Sequence, residues 1–346
     1  MTTSPGLRHF PDVPLLEHPS HAEQGITPLA SPLYVVTMLS NPLRWRSRYR
    51  NYWTFENHVN TAGAVLYTAE VAFGERAFEI TSADNPRHLQ LRTDDELWHK
   101  ENALNHLISR LPADARYVAW VDADVQFTRP DWAQETVHQL QHYDFVQMFS
   151  QALDMDHSGE ADLLQVHRGF AACYLETLAN PLVEKTITHR LQYSGKDKVT
   201  GAYWHPGYAW AARIPSLEAV GMLMDWPVLG SADWHMAWGL IGKMSEHLVP
   251  ELNPNYLNLC FEWEDRAETH IKRNLGCVPG SLIHHFHGRK TKRAYNERWR
   301  FLIDCGYDPL KDIYRDRQGL WQLRPEATRL RDGIRAYMRM RDEDER

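Results

Sequence analysis

Two carboxylates close an apolar run in "YVAWVDADVQF" (117–127), where Asp122 and Asp124 are separated by a single alanine. Like charges that close repel unless a cation, a proton or a solvated turn relieves them. Hard divalent cations take oxygen ligands, and a site shared with a phosphate uses as few as one or two protein carboxylates. Asp122 and Asp124 therefore suit Mg²⁺ or Mn²⁺ beside a nucleotide diphosphate; the plainer reading is a pair of solvated loop acids. A second constellation is "HHFHG" (284–288), with His284, His285 and His287. His284 and His287 are three apart, so a turn can point both the same way. Mixed imidazole and carboxylate ligation favours Mn²⁺, Fe²⁺ or Zn²⁺ over Mg²⁺. The plainer reading here is one packed and one exposed histidine.

Groups of this kind need strand ends to hold them. "LYVVTML" (33–39) reads as a buried parallel strand, followed by a helix over 41–60 that starts at Asn41-Pro42. Strands are expected at 64–73, 87–92, 115–122 and 144–150, with helices at 95–111 and 130–143 between them. This alternation predicts a parallel, doubly wound α/β sheet. Ligands bind beyond the carboxyl ends of such strands, where Asp122 and Asp124 fall. Further on, 206–223 reads as a strand leading into a helix, and 231–243 as a helix with an early acid, Asp233. The stretch 278–302 reads as a short strand, a His/Gly turn and a basic amphipathic helix, and the last segment as a charged helix. Residues 1–30 carry five prolines and little periodicity, which predicts an irregular arm.

The bulk composition bounds the class. The chain has 346 residues, 43% hydrophobic and 24% charged, enough for one large α/β domain with additions or for two smaller domains. Its net charge of −7 gives no general attraction to nucleic acid or to an anionic membrane. No stretch reaches the ~20 apolar residues of a membrane span, and the N-terminus lacks the pattern of a secretory signal. Cys173, Cys260, Cys277 and Cys305 show no C-x-x-C spacing and read as free thiols of a reducing cytoplasm.

The ordered set "WHKENALNHLISRLPADARYVAWVDADVQF", "GYAWAAR", "LGSADWHMAWGL" and "HHFHGRK" resembles metal-dependent glycosyltransferases of the GT-A fold. It is especially similar to glycosyltransferases of tailed phages and more distantly to the β-1,4-galactosyltransferase group. The resemblance covers about 33–302, and the phage-type similarity extends through "GYDPLKDIYRDRQGLWQL" to the end. It implies a mostly parallel twisted sheet with helices on both faces: a catalytic domain over 31–290 and a helical extension over 291–346. It makes Asp124 the direct metal ligand, with Asp122 on the metal shell or the donor ribose. His284 and His287 match a metal-binding Met/His pair, with His in place of Met. "GSADW" occupies the place of a catalytic carboxylate, so Asp233 is the expected general base. The group has a run of acids there, whereas this chain has one, with His235 and Glu251 next in line. The implied reaction moves a hexose from a nucleotide-diphosphate sugar, UDP by resemblance, to an acceptor hydroxyl with inversion.

Supporting roles are read from position. Lys100, Asn102 and Asn105 lie on the helix before the acidic strand, where Lys100 can meet a phosphate or Asp122. Arg44 and Arg48 follow the first strand, at the usual place of a nucleotide, although a solvated helix face explains "RWRSRYR" equally well. Tyr208 and Trp210 are candidates to stack on the donor or acceptor sugar. The acceptor expected from the phage resemblance and the basic run "GRKTKRAYNERWR" (288–300) is a 5-hydroxymethylpyrimidine base in DNA. A virion protein or a glycan is the alternative. A sugar-nucleotide-binding module without catalysis, and a two-metal nuclease or phosphatase, are the rival classes.

Overall fold

The computed structural model describes residues 31–156, 163–179, 203–288 and 297–344. The irregular arm expected over 1–30 and the basic residues 289–296 lie outside the described residues. In the first half the elements are β1 (Leu33–Ser40), α1 (Arg46–Thr61), β2 (Val65–Phe73), β3 (His88–Thr93), α2 (Lys100–Ile108), β4 (Tyr117–Val121), β5 (Val125–Phe127), α3 (Trp132–Leu140), β6 (Phe145–Gln147) and β7 (Gln151–Met155). There follow β8 (Leu163–Gly169), α4 (Phe170–Ala179), β9 (Tyr203–His205), β10 (Ala209–Arg213), α5 (Ile214–Ala219), α6 (Ala232–Leu240), α7 (Pro254–His270), β11 (Leu275–Cys277), β12 (Ser281–His284), α8 (Glu297–Cys305), β13 (Ile313–Arg315), β14 (Trp321–Leu323) and α9 (Thr328–Met340).

The near-continuous burial of β1 is what a strand covered on both faces requires. It lies inside a seven-stranded sheet of order β11-β6-β10-β4-β1-β2-β3. The pairs β4/β1, β1/β2, β2/β3 and β6/β11 are parallel, and β10 runs antiparallel between β4 and β6. The expected α/β sheet is thus present and mostly parallel, with helices flanking it. Alternate side chains feed two apolar layers. Val36, Val118, Trp120, Phe145 and Trp210 meet α2 residues Leu104 and Leu107. Val35, Ala119, Val121, Val146 and Ala209 meet Phe55 of α1 and Trp132 of α3.

Where strand ends leave the main sheet, a second one begins, with order β5-β12-β7-β8-β9. The sequence patterns do not announce it, because its strands are short and partly polar. The helix expected from Asn41-Pro42 starts only at Arg46. Asn41 closes a turn of its own, accepting from the Trp45 amide (2.9 Å) and donating to the Trp45 carbonyl (2.9 Å), with Arg44 left-handed at φ 59°. The helix expected over 95–111 is likewise shorter, Lys100–Ile108.

After α8, the chain forms the hairpin β13–β14 and then α9. Gln322 accepts from the Thr93 hydroxyl at 2.7 Å, the Leu323 amide donates to Asp95 at 2.7 Å, and the Trp321 amide donates to Asn102 at 3.0 Å. The C-terminal segment is therefore tied to the β3–α2 edge of the sheet. Among the described residues no helix is long and apolar enough to cross a membrane.

Candidate metal and donor site

Strand pairing brings the two chemical motifs together. The main sheet hands Asp122 to a turn at the end of β4, where its amide still bonds to the Tyr208 carbonyl at 2.8 Å. The chain then enters β5, which pairs antiparallel with β12 so that Val125 faces His284. The His285 amide donates to the Asp124 carbonyl at 2.8 Å, extending that ladder by one step. Because side chains alternate along a strand, His284 turns inward and His285 turns away, to Gln126 at 2.8 Å. His287 follows the strand and swings back. Its Nε2 lies 3.0 Å from Asp124 Oδ2, and His284 Nε2 lies 3.9 Å from the same oxygen. One ligand atom from each of Asp124, His284 and His287 falls within 4.8 Å of the others.

The two imidazoles and Asp124 could hold one cation between them. Their Nε2 atoms face each other at 3.1 Å. His284 Nδ1 is 2.8 Å from Asp154, and His287 Nδ1 is 3.5 Å from Glu343. A carboxylate beside Nδ1 favours the ring proton there and leaves the Nε2 lone pair outward; for His287 this holds once a cation takes the place of a proton between Nε2 and Asp124, 3.0 Å away. Two such lone pairs at this distance repel unless a proton or a metal ion lies between them. The donor set of two imidazoles and a carboxylate suits Mn²⁺ or a similar divalent ion, with positions left for water and phosphate.

Asp154 was not singled out by any motif, yet it organises this corner. It is 2% exposed, faces His284 across the parallel β12/β7 register, and receives hydrogen bonds from Tyr208 Oη (2.9 Å) and from His167 Nε2 (2.6 Å). Tyr208 is buried rather than presented to a sugar. Its ring stacks on His205 at 3.7 Å and leans on His284 at 4.4 Å, and its backbone is left-handed at φ 72°. A bulky residue held in that region costs about 1–2 kcal/mol, so its neighbours must enforce it. Trp210 is also interior, with its indole N–H donated to the Pro206 carbonyl at 2.6 Å.

A second group of charges adjoins the first. Lys100, at the start of α2, forms an ion pair with Asp122. Burial works against the Lys100 charge, but Asp122, Glu101 and Asp233 outweigh it and hold the ammonium above its ordinary range. Glu101 beside it is 4% exposed, and burial pushes its carboxyl up to about 8 against the opposing pull of Lys100. Asp233 sits in the first turn of α6. It follows Gly230 and Ser231, both left-handed at φ 86° and 83°. Its Oδ1 accepts from the Trp234 amide at 2.9 Å, and its Oδ2 lies where a side chain at residue 207 would stand. Gly207 is what admits that carboxylate between α6 and the turn that carries Tyr208 into β10.

The remaining sequence candidates have other partners. Asn102 donates to Asp225 at 3.2 Å, and Asn105 bonds to the Leu223 backbone in both directions at 2.9 and 3.1 Å. Both brace α2 against the following layer, and these hydrogen bonds, among the described residues, run to Asp225, Gly319, Trp321 and Leu223 rather than to Asp122. Arg44 is exposed and pairs with Glu79 at 3.1 Å. Arg48 grips Glu343 through Nε (2.6 Å) and Nη2 (2.8 Å). The structure therefore brings together Asp122, Asp124, Lys100, Asp233, His284 and His287, and adds Asp154, Glu101 and Glu343.

No family model matches the chain, and no curated protein matches it. Solved structures overlap it weakly. The catalytic domain of Drosophila β1,4-galactosyltransferase 7 with xylobiose aligns over 60% of this chain and 59% of its own, at 9% identity and TM-score 0.30. This chain thus spans about three fifths of that domain. Glucosyl-3-phosphoglycerate synthase of Mycobacterium tuberculosis with phosphoglyceric acid aligns over 79% and 78%, at 12% identity and TM-score 0.37. The same synthase with Mn²⁺, UDP-glucose and phosphoglyceric acid aligns over 86% and 88%, at 11% identity and TM-score 0.36. Overlaps of this size assign no activity; that rests on the side chains.

Proposed function

We propose that the protein is a divalent-metal-dependent glycosyltransferase that moves a hexose from a nucleotide-diphosphate sugar to an acceptor hydroxyl. The observation that carries this reading is the convergence of Asp124, His284 and His287 at the end of β4, beside the Lys100–Asp122 pair and Asp233. Asp124, His284 and His287 would hold Mn²⁺ or Mg²⁺, which when bound neutralises charge developing on a leaving diphosphate. Lys100 adds a second fixed positive charge at the same strand end. Asp122, its partner, faces the metal shell or the donor ribose. Asp233 is the candidate general base: its Oδ1 is anchored on the Trp234 amide, which orients the group to take an acceptor proton. Trp234 stacks on Trp204 at 5.1 Å beside it, which packs the start of α6 against the core and holds Asp233 in place. A base opposite the leaving group gives inversion. UDP as the nucleotide rests on the sequence resemblance alone, and the free cysteines suit a reducing cytoplasm.

The acceptor is a separate matter. A 5-hydroxymethylpyrimidine in phage DNA rests on the sequence resemblance and the basic run 288–300, of which residues 289–296 lie outside the described ones. Labelled UDP-hexoses offered with hydroxymethylated duplex DNA, with virion protein and with no acceptor separate these arms. Mn²⁺-dependent loss of UDP-hexose is expected even without acceptor, and its absence with every donor and acceptor overturns the reading. Asp233→Asn should keep Mn²⁺ and UDP binding while lowering transfer by about 10²–10⁴-fold, the usual weight of a general base. Transfer at the wild-type rate by the Asp233→Asn enzyme would place the base elsewhere.

A further inference from the structure

Glu343 lies near the end of the sequence, far from every motif, yet its carboxylate is 1% exposed and stands behind a metal-ligand candidate. Its Oε2 is 3.5 Å from His287 Nδ1, on the side of the ring away from Asp124. Arg48 of α1 holds the same carboxylate through two contacts of 2.6 and 2.8 Å, and Arg341 adds a third at 2.8 Å. A buried carboxylate with two guanidinium partners and one imidazole is tightly placed, and so is whatever it faces.

The backbone around it is fitted to the same end. Asp344 accepts from the amides of Arg46 (2.7 Å) and Ser47 (2.9 Å), which caps the open N-terminus of α1. The Ser47 hydroxyl donates to the Glu343 carbonyl at 3.3 Å. Gly288, one residue after His287, is left-handed at φ 91°, and a β-carbon there would meet the backbone of residues 341–343 at 3.0–3.2 Å. The segment that follows α9 thus threads between α1 and the His287 turn.

We propose that this C-terminal segment completes the metal site, with Glu343 as the positioning residue that fixes the His287 ring so that Nε2 presents its lone pair. Asp154 does the same for His284 from within the second sheet; Glu343 does it from the other end of the chain. The inference rests on the metal-site reading above. It makes cation affinity depend on residues 341–344, which a reading based on the D-x-D and H-x-x-H motifs alone would leave out.

The test is Mn²⁺ binding to the full chain, followed by electron paramagnetic resonance of free Mn²⁺, with a thermal melt of each variant. Glu343→Gln keeps size and an acceptor for the arginines but removes the charge facing Nδ1. It should weaken Mn²⁺ binding about 10–100-fold, the usual weight of an outer-sphere partner. Asp344→Asn, which loosens the segment without touching His287, should move affinity the same way by less. If the melts fall while folded protein binds Mn²⁺ as the wild type does, Glu343 is only a structural latch and the proposal fails alone. If the wild type itself binds no Mn²⁺, the metal-site reading fails and takes this inference with it.

Discussion

Two sets of histidines are buried in this protein, and they live under opposite rules. His284 and His287 are 3% and 9% exposed, and His99 and His235 are 1% exposed, so burial does not separate them. Their company does. Each site histidine has a carboxylate beside Nδ1 and turns Nε2 toward Asp124. His99 instead meets the Asp95 carbonyl at 3.1 Å, and its Nδ1 has no hydrogen-bond partner among the described residues. His235 meets the Tyr256 hydroxyl at 2.9 Å and the edge of Trp299. Burial, only partly offset by nearby acidic and carbonyl groups, lowers His99 to about 4. Burial and the nearby Arg298 lower His235 to about 3. These two are neutral packing groups. What marks a buried imidazole as a ligand candidate is the group beside its first nitrogen and what its second nitrogen faces.

The sharpest way to break that contrast is to truncate one member of each set. His287→Ala should abolish measurable Mn²⁺ binding by protein that is still folded, a loss beyond the roughly 10–100-fold that outer partners carry. His235→Ala should do the reverse, costing about 2–4 kcal/mol of stability as a large-to-small core change with Mn²⁺ affinity intact. Equal effects of the two on Mn²⁺ binding would erase the distinction. A smaller effect is expected from Asp154→Asn, which preserves shape and the Tyr208 contact but removes the charge that orients His284. Mn²⁺ affinity should fall about 10–100-fold, as for other partners of metal-bound imidazoles. An unchanged titration curve would make Asp154 a packing residue.

Much of the frame was legible because burial writes itself into sequence. The β-branched runs of β1, β2 and β4 mark strands covered on both sides, and Asp122 and Asp124 end one of them. Strands were read within 206–223 and 278–302, where β10 and β12 fall, but the antiparallel direction of β10 and the pairings of the second sheet were not legible. A three-residue strand such as β5 has no period to read, and the register that sets His284 opposite Val125 is a long-range pairing. Helix α7 carried its own signals, Asn253 capping the Asn255 amide and Pro254 in the first turn, so it could have been found. Among site residues, paired motifs gave Asp124, His284 and His287. Asp154 and Glu343 are single acids in unremarkable stretches, and only folding shows them behind the two rings. Asn102 and Asn105 were drawn in by their place on α2, although their amides bond to Asp225, to the Trp321 amide and to the Leu223 backbone.

The smallest expected effect is on the pH dependence of stability, and it probes the other side of the contrast. The folded state holds His235 at about 3, whereas an unfolded histidine titrates near 6.5. Between those values the unfolded chain takes up a proton that the folded chain refuses. This contribution to stability is therefore complete above about pH 6.5 and lost progressively as pH falls toward 3, by up to about 1.4 kcal/mol per pH unit. Glu101 acts in the opposite sense, since burial lets the folded state keep its proton up to about 8. Comparing wild type with His235→Gln cancels that contribution and every other shared one. Urea unfolding from pH 7 down to 5 should show the His235→Gln variant, whatever its starting stability, declining less steeply by up to one proton. Parallel lines for the two proteins would mean that His235 can be charged inside the fold. The core histidines would then no longer be plain packing groups set against the pair at Asp124.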